Sequence, residues 1–211
     1  MKVLDHASAR QMLLCCADAI ISSKPLLTEV DSRIGDGDHG IGMSVGMEKV
    51  KEVLQSMESE RNVYDLFRET GKAMLMSMGG ASGVIFGTMF MGGAKRGSPA
   101  ESMDTAAFAE MMREALAAVK LRGKAEVGDK TMVDAFEPAV DAMLAYPGQD
   151  FEGMLAAAEA AAAAGVERTK EIPAKFGRAK FLGERSVGCQ DAGATSVWLL
   201  FQAMRRYAAG Q

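Results

Sequence analysis

Cysteine is nearly missing from this chain: Cys15, Cys16 and Cys189 are its three. Two of them are adjacent and none belongs to a Cys-x-x-Cys pair, which excludes a disulfide framework and a thiolate zinc site and suits a reducing cytoplasm. An excess of positive charge is missing too. With 24 Lys and Arg against 28 Asp and Glu the net charge is −4 and the pI about 5.3, so the chain carries no electrostatic footprint for direct contact with nucleic acid or an acidic membrane surface. No apolar run is long enough to span a membrane. The start, Met1-Lys2-Val3-Leu4-Asp5-His6, meets an acid early and has no uninterrupted apolar core after it, so it does not read as an export signal. Nor is there a run of alternating apolar and polar residues rich in Val, Ile and Thr, or a pair of such runs joined by a hairpin turn. Aromatic residues are scarce at 6%, whereas methionine occurs 17 times. That combination predicts a helical interior filled by flexible side chains rather than flat rings.

What is present is helical period. Met12, Leu13, Cys16, Ala19 and Ile20 recur at three- and four-residue steps and predict a helix over 6–23. The same reasoning predicts helices over 41–59, over 62–78 with Asn62 as cap, and from the cluster Gly79-Gly80-Ala81-Ser82-Gly83 onward, the last apolar nearly all round and therefore central. Further helices are predicted over 104–121, over 132–146 with a kink or late start at Pro138, over the alanine-rich 151–171, and over 193–208. The segment 172–192 reads as a long irregular loop. The chain is thus expected to be all-α, a single domain over 1–211, with eight helices in an antiparallel up-and-down bundle. In such a bundle alternate connections share one end. The Asp31–Gly40 loop, the Gly79–Gly83 loop, the 122–131 loop and the 172–192 loop then fall together, and the intervening connections at 59–62, 97–104 and 147–150 read as plain turns.

The densest chemistry lies in Leu27-Thr28-Glu29-Val30-Asp31-Ser32-Arg33-Ile34-Gly35-Asp36-Gly37-Asp38-His39-Gly40. A lone Asp-Gly is an ordinary turn and an Asp before a helix an ordinary cap. Three carboxylates in eight residues, two of them separated by glycine, can instead aim several oxygens at one point, as Mg²⁺ or Ca²⁺ requires. The later acidic positions of an EF-hand loop are lacking, which argues against a Ca²⁺ site of that kind.

The other loops read two ways. Gly79–Gly83 offers backbone N–H groups and the Ser82 hydroxyl to a phosphate at a helix start, or only allows close helix packing; it is no Walker A motif. Lys130 and Thr131, after Gly128-Asp129, mark a helix start or a nucleotide contact. Arg178 and Arg185 suit phosphoryl oxygens or a solvated face. Asp191 with Gly193 and Thr195 fits an N-cap, and His39 a turn, a nucleotide contact or a phosphorylated histidine.

These motifs, with Phe86-Gly87-Thr88, Arg122-Gly123-Lys124-Ala125-Glu126-Val127-Gly128-Asp129-Lys130-Thr131-Met132, Gly177-Arg178-Ala179, Leu182-Gly183-Glu184-Arg185-Ser186, Gln190-Asp191 and Gly193-Ala194-Thr195-Ser196, resemble the ADP-binding L subunits of bacterial dihydroxyacetone kinases over essentially the whole chain. The resemblance implies an eight-helix antiparallel barrel with the nucleotide at one end. It implies that Asp31, Asp36 and Asp38 bind two Mg²⁺, which hold the diphosphate of ADP. It implies too that His39, Gly40, Ile41, Gly42, Ala81, Ser82, Gly123, Met132, Arg178, Asp191, Ala192 and Gly193 line the nucleotide, Arg178 also acting in catalysis. In that family ADP is a resident cofactor. It is phosphorylated by a phosphohistidine M subunit fed from phosphoenolpyruvate, and as ATP it passes the group to dihydroxyacetone on a K subunit. A cytoplasmic homodimer is expected, and a transcriptional regulator is a further partner the family implies. Alternatives are a component of an ATP-dependent short-ketose kinase, for erythrulose among others, a nucleotide-dependent regulatory partner, and a carrier of a lipid within the Met-rich interior. Where the family often has His-Gln-Asp-Pro-Gly before its last helix, this chain has Cys189-Gln190-Asp191-Ala192-Gly193, which predicts a softer closing loop.

Overall fold

The computed structural model describes residues 1–57, 62–95 and 99–210. Among these, β1 is Val3–Asp5 and the helices are α1 His6–Ser22, α2 Lys24–Ser32, α3 His39–Ser56, α4 Val63–Ser77 and α5 Gly80–Ala94. After β2, Ser102–Asp104, come α6 Thr105–Gly123, α7 Val133–Leu144, α8 Phe151–Thr169 and α9 Ala192–Ala208. Eight of the helices form a closed ring. Each of α3 through α9 packs on the next, and α1 closes the circle by packing on both α3 and α9. The fold is the expected all-α antiparallel barrel.

Methionine fills the interior as the composition predicts. Met12, Met43, Met47, Met74, Met89, Met112, Met143, Met154 and Met204 are all buried, around edge-to-face contacts of Phe108 with Phe67 and Phe151. Glycine sets the closest helix approaches. A Cβ on Gly93 of α5 would lie 1.9 Å from the Met111 carbonyl oxygen of α6, and one on Gly165 of α8 would lie 2.2 Å from the Asp134 carbonyl oxygen of α7.

Four features depart from expectation. A ninth helix, α2, carries Asp31, which the sequence places in a loop. Pro25 sits at its start and Leu27 and Val30 face the core, too short a run for period to reveal. A pair of three-residue strands, β1 antiparallel to β2, ties the starts of α1 and α6 together. Helix α7 begins at Val133 and continues through Pro138, with α8 packed close where the ring leaves the Asp134 carbonyl without its usual partner. Finally, 172–192 is not wholly irregular, because Ala179–Ser186 forms 3-10 turns broken at Gly183, whose φ is 54°. The expected helix end near Ser59 and parts of the turns at 59–62 and 97–104 lie outside the described residues.

All four connections predicted to share an end do so. We expect Gly93→Ala, which must force α5 from α6, to destabilise the chain by about 1–3 kcal/mol, read as a shift of the urea midpoint.

Candidate functional site

At the shared end lies a cleft of about 690 Å³, lined by side chains from all four connections. The triad forms one wall. Asp31 closes α2, Asp36 and Asp38 follow in the turn, and one oxygen from each lies within 4.8 Å of the others. Two glycines make this possible: Gly37 adopts φ 77°, and a Cβ on Gly35 would strike Asp31 Oδ1 at 2.3 Å. Asp38 stands at the N-cap of α3 but makes no capping bond, so its carboxylate is left for the cleft. Its pKa is held above the ordinary carboxylate range, first by desolvation and then by the charges of Asp36 and Asp31. A divalent cation relieves that crowding, and oxygen-only donors are what a hard cation takes. The residues fit Mg²⁺.

The barrel order sends four helix N-termini, those of α3, α5, α7 and α9, into this end and the other four to the opposite end. Caps divide them. At the far end Asp5, Asn62, Asp104 and Asp150 each accept a backbone N–H of α1, α4, α6 and α8. In the cleft Asp191 caps α9 through the Ala194 N–H and the Thr131 hydroxyl accepts from Val133 of α7, whereas the N-cap residues of α3 and α5 make no side-chain bond and the first N–H of α3 is taken by Asp31 of the triad. Those two helices flank the triad. Cβ atoms on Gly42, Gly79 and Gly80 would meet nothing within 4 Å, so these glycines open backbone toward the cleft; one on Gly83 would strike Met78. Gly83 therefore fits the close-packing reading, while Gly79 and Gly80 leave open backbone at the start of α5.

Opposite the triad, Arg178 reaches across from 170–191 and places Nε 2.5 Å from Asp36 Oδ2. Ile41, Gly42, Ala81, Ser82, Met132, Asp191, Ala192 and Gly193 also line the cleft. Gly123 lines an adjoining apolar pocket of about 370 Å³ with Val84, Ile85, Val119 and Phe176. Gly40 lies elsewhere, packed so closely on α2 that a Cβ would meet the Lys24 carbonyl oxygen at 2.5 Å. His39 is buried, its Nε2 2.8 Å from Ser196 Oγ and its ring near Phe86. Burial lowers its pKa against the pull of Asp31, and its backbone N–H donates to Asp31 Oδ2. Its main chain braces the triad, and the residue is itself among those lining the cleft.

Two contributors escape sequence reasoning. Phe176, within an aperiodic stretch, lines both cavities. Asp134 is buried and accepts from the N–H groups of Gly128 and Thr131, shaping 124–132. Its place just inside α7, after Gly-Asp-Lys-Thr, was the available signal. Lys130, singled out in the sequence, is among the residues lining the cleft, and its buried ammonium donates to backbone carbonyls.

A carboxylate triad facing helix starts, beside an apolar pocket, has the donor set and the shape of an all-helical site for a cation-bound phosphate ester. Residues 33–206 match the family model of the DAK2 domain, and the chain belongs to that family. It is 38% identical over 191 residues to the "PEP-dependent dihydroxyacetone kinase, ADP-binding subunit DhaL" of Escherichia coli K12, covering 90% of each chain. It is 36% identical over 187 residues to the "D-erythrulose kinase" of Mycolicibacterium smegmatis, covering 87% of this chain and 32% of that longer protein. Among solved structures, the dihydroxyacetone kinase of C. freundii in complex with AMP-PNP and Mg²⁺ superposes with a TM-score of 0.75 at 27% identity, over 95% of this chain and 34% of that one.

The Asp191 carboxyl is pushed up to about 7, chiefly by burial, with Asp134 and Asp31 adding and the Ala194 N–H and Lys130 opposing. The folded chain therefore holds this proton more tightly than the unfolded chain, whose carboxyl stays near 3.8. Stability linked to it falls as pH rises from about 4 to about 7 and is constant above. Asp191→Asn keeps a competent cap and should remove this slope, seen by comparing urea midpoints of the two nucleotide-free proteins across that range.

Proposed function

We propose that this chain is the ADP-binding phosphotransferase subunit of a phosphoenolpyruvate-dependent dihydroxyacetone kinase, acting as one nucleotide-binding unit over 1–211. The observation that carries this reading is the carboxylate triad set against the glycine-opened starts of α3 and α5 in one cleft. Asp31, Asp36 and Asp38 would hold two Mg²⁺. The N–H groups opened by Gly42, Gly79 and Gly80, with Ser82, would receive phosphate oxygens, and the pocket of Val84, Ile85, Gly123, Met132 and Phe176 would receive the base. When bound, ADP and Mg²⁺ supply a phosphoryl acceptor with its charge neutralised. Arg178 brings a planar cation to the same place and would turn from Asp36 to the transferred group. Asp191 and His39 would hold the helix starts in position.

The reading also requires partners, since the resemblance assigns the groups that activate the ketose to a separate K subunit. Exposed large apolar side chains gather at this end, among them Met76 at the close of α4, Leu121 at the close of α6 and Phe181 in 170–191. Such a rim suits docking of a ketose-binding K subunit and, in alternation, a phosphohistidine M subunit. Phe181→Asp should weaken association with the K subunit at least about tenfold in titration calorimetry and leave ADP content unchanged.

The deciding experiment is reconstitution. Label from phosphoenolpyruvate should reach dihydroxyacetone only with this chain present together with the K and M subunits and their phosphotransferase feed; no transfer in the complete mixture would refute the proposal. The relatives that phosphorylate erythrulose favour a second reading, an ATP-dependent short-ketose kinase component, which predicts turnover on ATP without M. Purified without added nucleotide, the chain should release ADP and two equivalents of Mg²⁺ on denaturation. Asp36→Asn should release neither while keeping its helical circular dichroism, because a lost charge in the metal shell has no substitute. ADP retained by that variant in mass spectrometry would count against the metal assignment.

A further inference from the structure

Lys130 is 2% exposed, and its Nζ sits in a cage of main-chain oxygens. It lies 2.5 Å from the carbonyl of Thr169, 3.2 Å from that of Ile172, 2.9 Å from that of Ser186 and 2.5 Å from that of Cys189. An ammonium has three N–H donors and accepts nothing, so its hydrogen-bonding capacity is spent on these carbonyls. Burial lowers its pKa, with Asp191, Cys189 and Asp134 opposing. The backbone at Lys130 has φ 59°, a conformation that glycine or asparagine adopts more readily. A side chain kept here against both desolvation and local backbone preference has work to do.

The four carbonyls show what that work is. They belong to the end of α8 and to both feet of the segment 170–191. The same feet are joined by Gly188 N–H to the Lys170 carbonyl at 2.7 Å and by Ala174 N–H to Ser186 Oγ at 2.9 Å. Between them 176–185 arches over the cleft with Arg178 at Asp36. Lys175 makes a further tie to Asp129, the neighbour of Lys130. We propose that Lys130 is a positioning residue: its ammonium clamps both feet of this strap, fixing Arg178 over the triad and Asp191 beneath α9, and it touches no ligand itself.

The clamp stands on contacts within the chain; only its consequence for nucleotide rests on the function proposed above. The test uses the full-length nucleotide-free protein. Lys130→Ala removes the ammonium and Lys130→Met keeps most of its aliphatic bulk, so that at least one variant retains the barrel by circular dichroism. In a variant that does, trypsin should cut after Arg178, Lys180 and Arg185 at least about tenfold faster than in wild type, because strap opening no longer has to break the cage. Ethylammonium at tens of millimolar should restore protection to Lys130→Ala by occupying the cage, and tetramethylammonium at equal ionic strength, with no N–H to donate, should not. Unchanged cleavage in a folded variant, or equal protection by both cations, would overturn the clamp. If the strap opens yet ADP and Mg²⁺ are retained as in wild type, the clamp stands and the assignment of Arg178 to the nucleotide falls.

Discussion

Crowded like charge is the constraint on which the rest of this structure depends. Two carboxylates 4 Å apart at an effective dielectric of about 20 repel by roughly 4 kcal/mol, and three are gathered here with an oxygen from each inside 4.8 Å. Such a group stays together only if the backbone compels it and something positive answers it. The compulsion comes from α2, the left-handed turn at Gly37 and the closeness of Gly35 to Asp31. The answer, within the chain, is the guanidinium of Arg178, the His39 N–H and the start of α3. The residual demand falls on Asp38, whose carboxyl holds its proton beyond the ordinary range. A divalent cation would meet that demand with a higher charge density than a side chain can supply.

The antiparallel ring turns that local demand into a binding site. Because alternate helices start at the same end, a barrel of this order presents four positive dipole ends to one rim whatever its sequence. Sequence then decides which ends are reserved. At the far rim every start is closed by an Asp or Asn side chain, each cap worth about 1 kcal/mol of ordinary stability. At the cleft the N-cap residues of α3 and α5 make no such bond, the first N–H of α3 going to Asp31 of the triad instead, and glycine strips these starts of Cβ atoms. In the function proposed above, an anionic ligand would take up the N–H groups left open at these starts, and the cations at the triad would hold its remaining oxygens.

The global plan was legible in the sequence because it rests on period and spacing. Apolar steps of three and four residues mark the ring helices, and counting connections brings the aspartates, the glycine cluster, Met132, Arg178 and Asp191 to one end without any contact being known. What was not legible rests on direction. Helix α2 offers only Leu27 and Val30 as core residues and is hidden by the glycines and acids that follow it. Lys130, beside Thr131 after Gly-Asp, has the composition of a phosphate contact, but its left-handed backbone turns the side chain inward. His39 next to the triad suggests a ligand, yet the ring is directed to Ser196 and the main chain serves Asp31. Residue type and spacing locate chemistry along a chain; they do not say which way a side chain leaves it.

The closing loop illustrates the same separation. Alanine at position 192, the first residue of α9, gives up the fixed φ that proline brings to a helix start, a preorganisation worth about 0.4–1 kcal/mol. That loss predicts a softer loop, and the structure opposes it with contacts that do not depend on side-chain identity. Lys130 grips the main-chain oxygen of Cys189, and Thr169 Oγ1 accepts the N–H of Asp191 at 3.0 Å. Cysteine at 189 leaves the first of these intact, since any residue there offers the same carbonyl. Asp191 still caps α9 through Ala194. Cage and cap together bear on the short stretch from Cys189 to Ala194, so the chain can vary in side chain at 189 and 192 while the wall of the cleft that they form keeps its place.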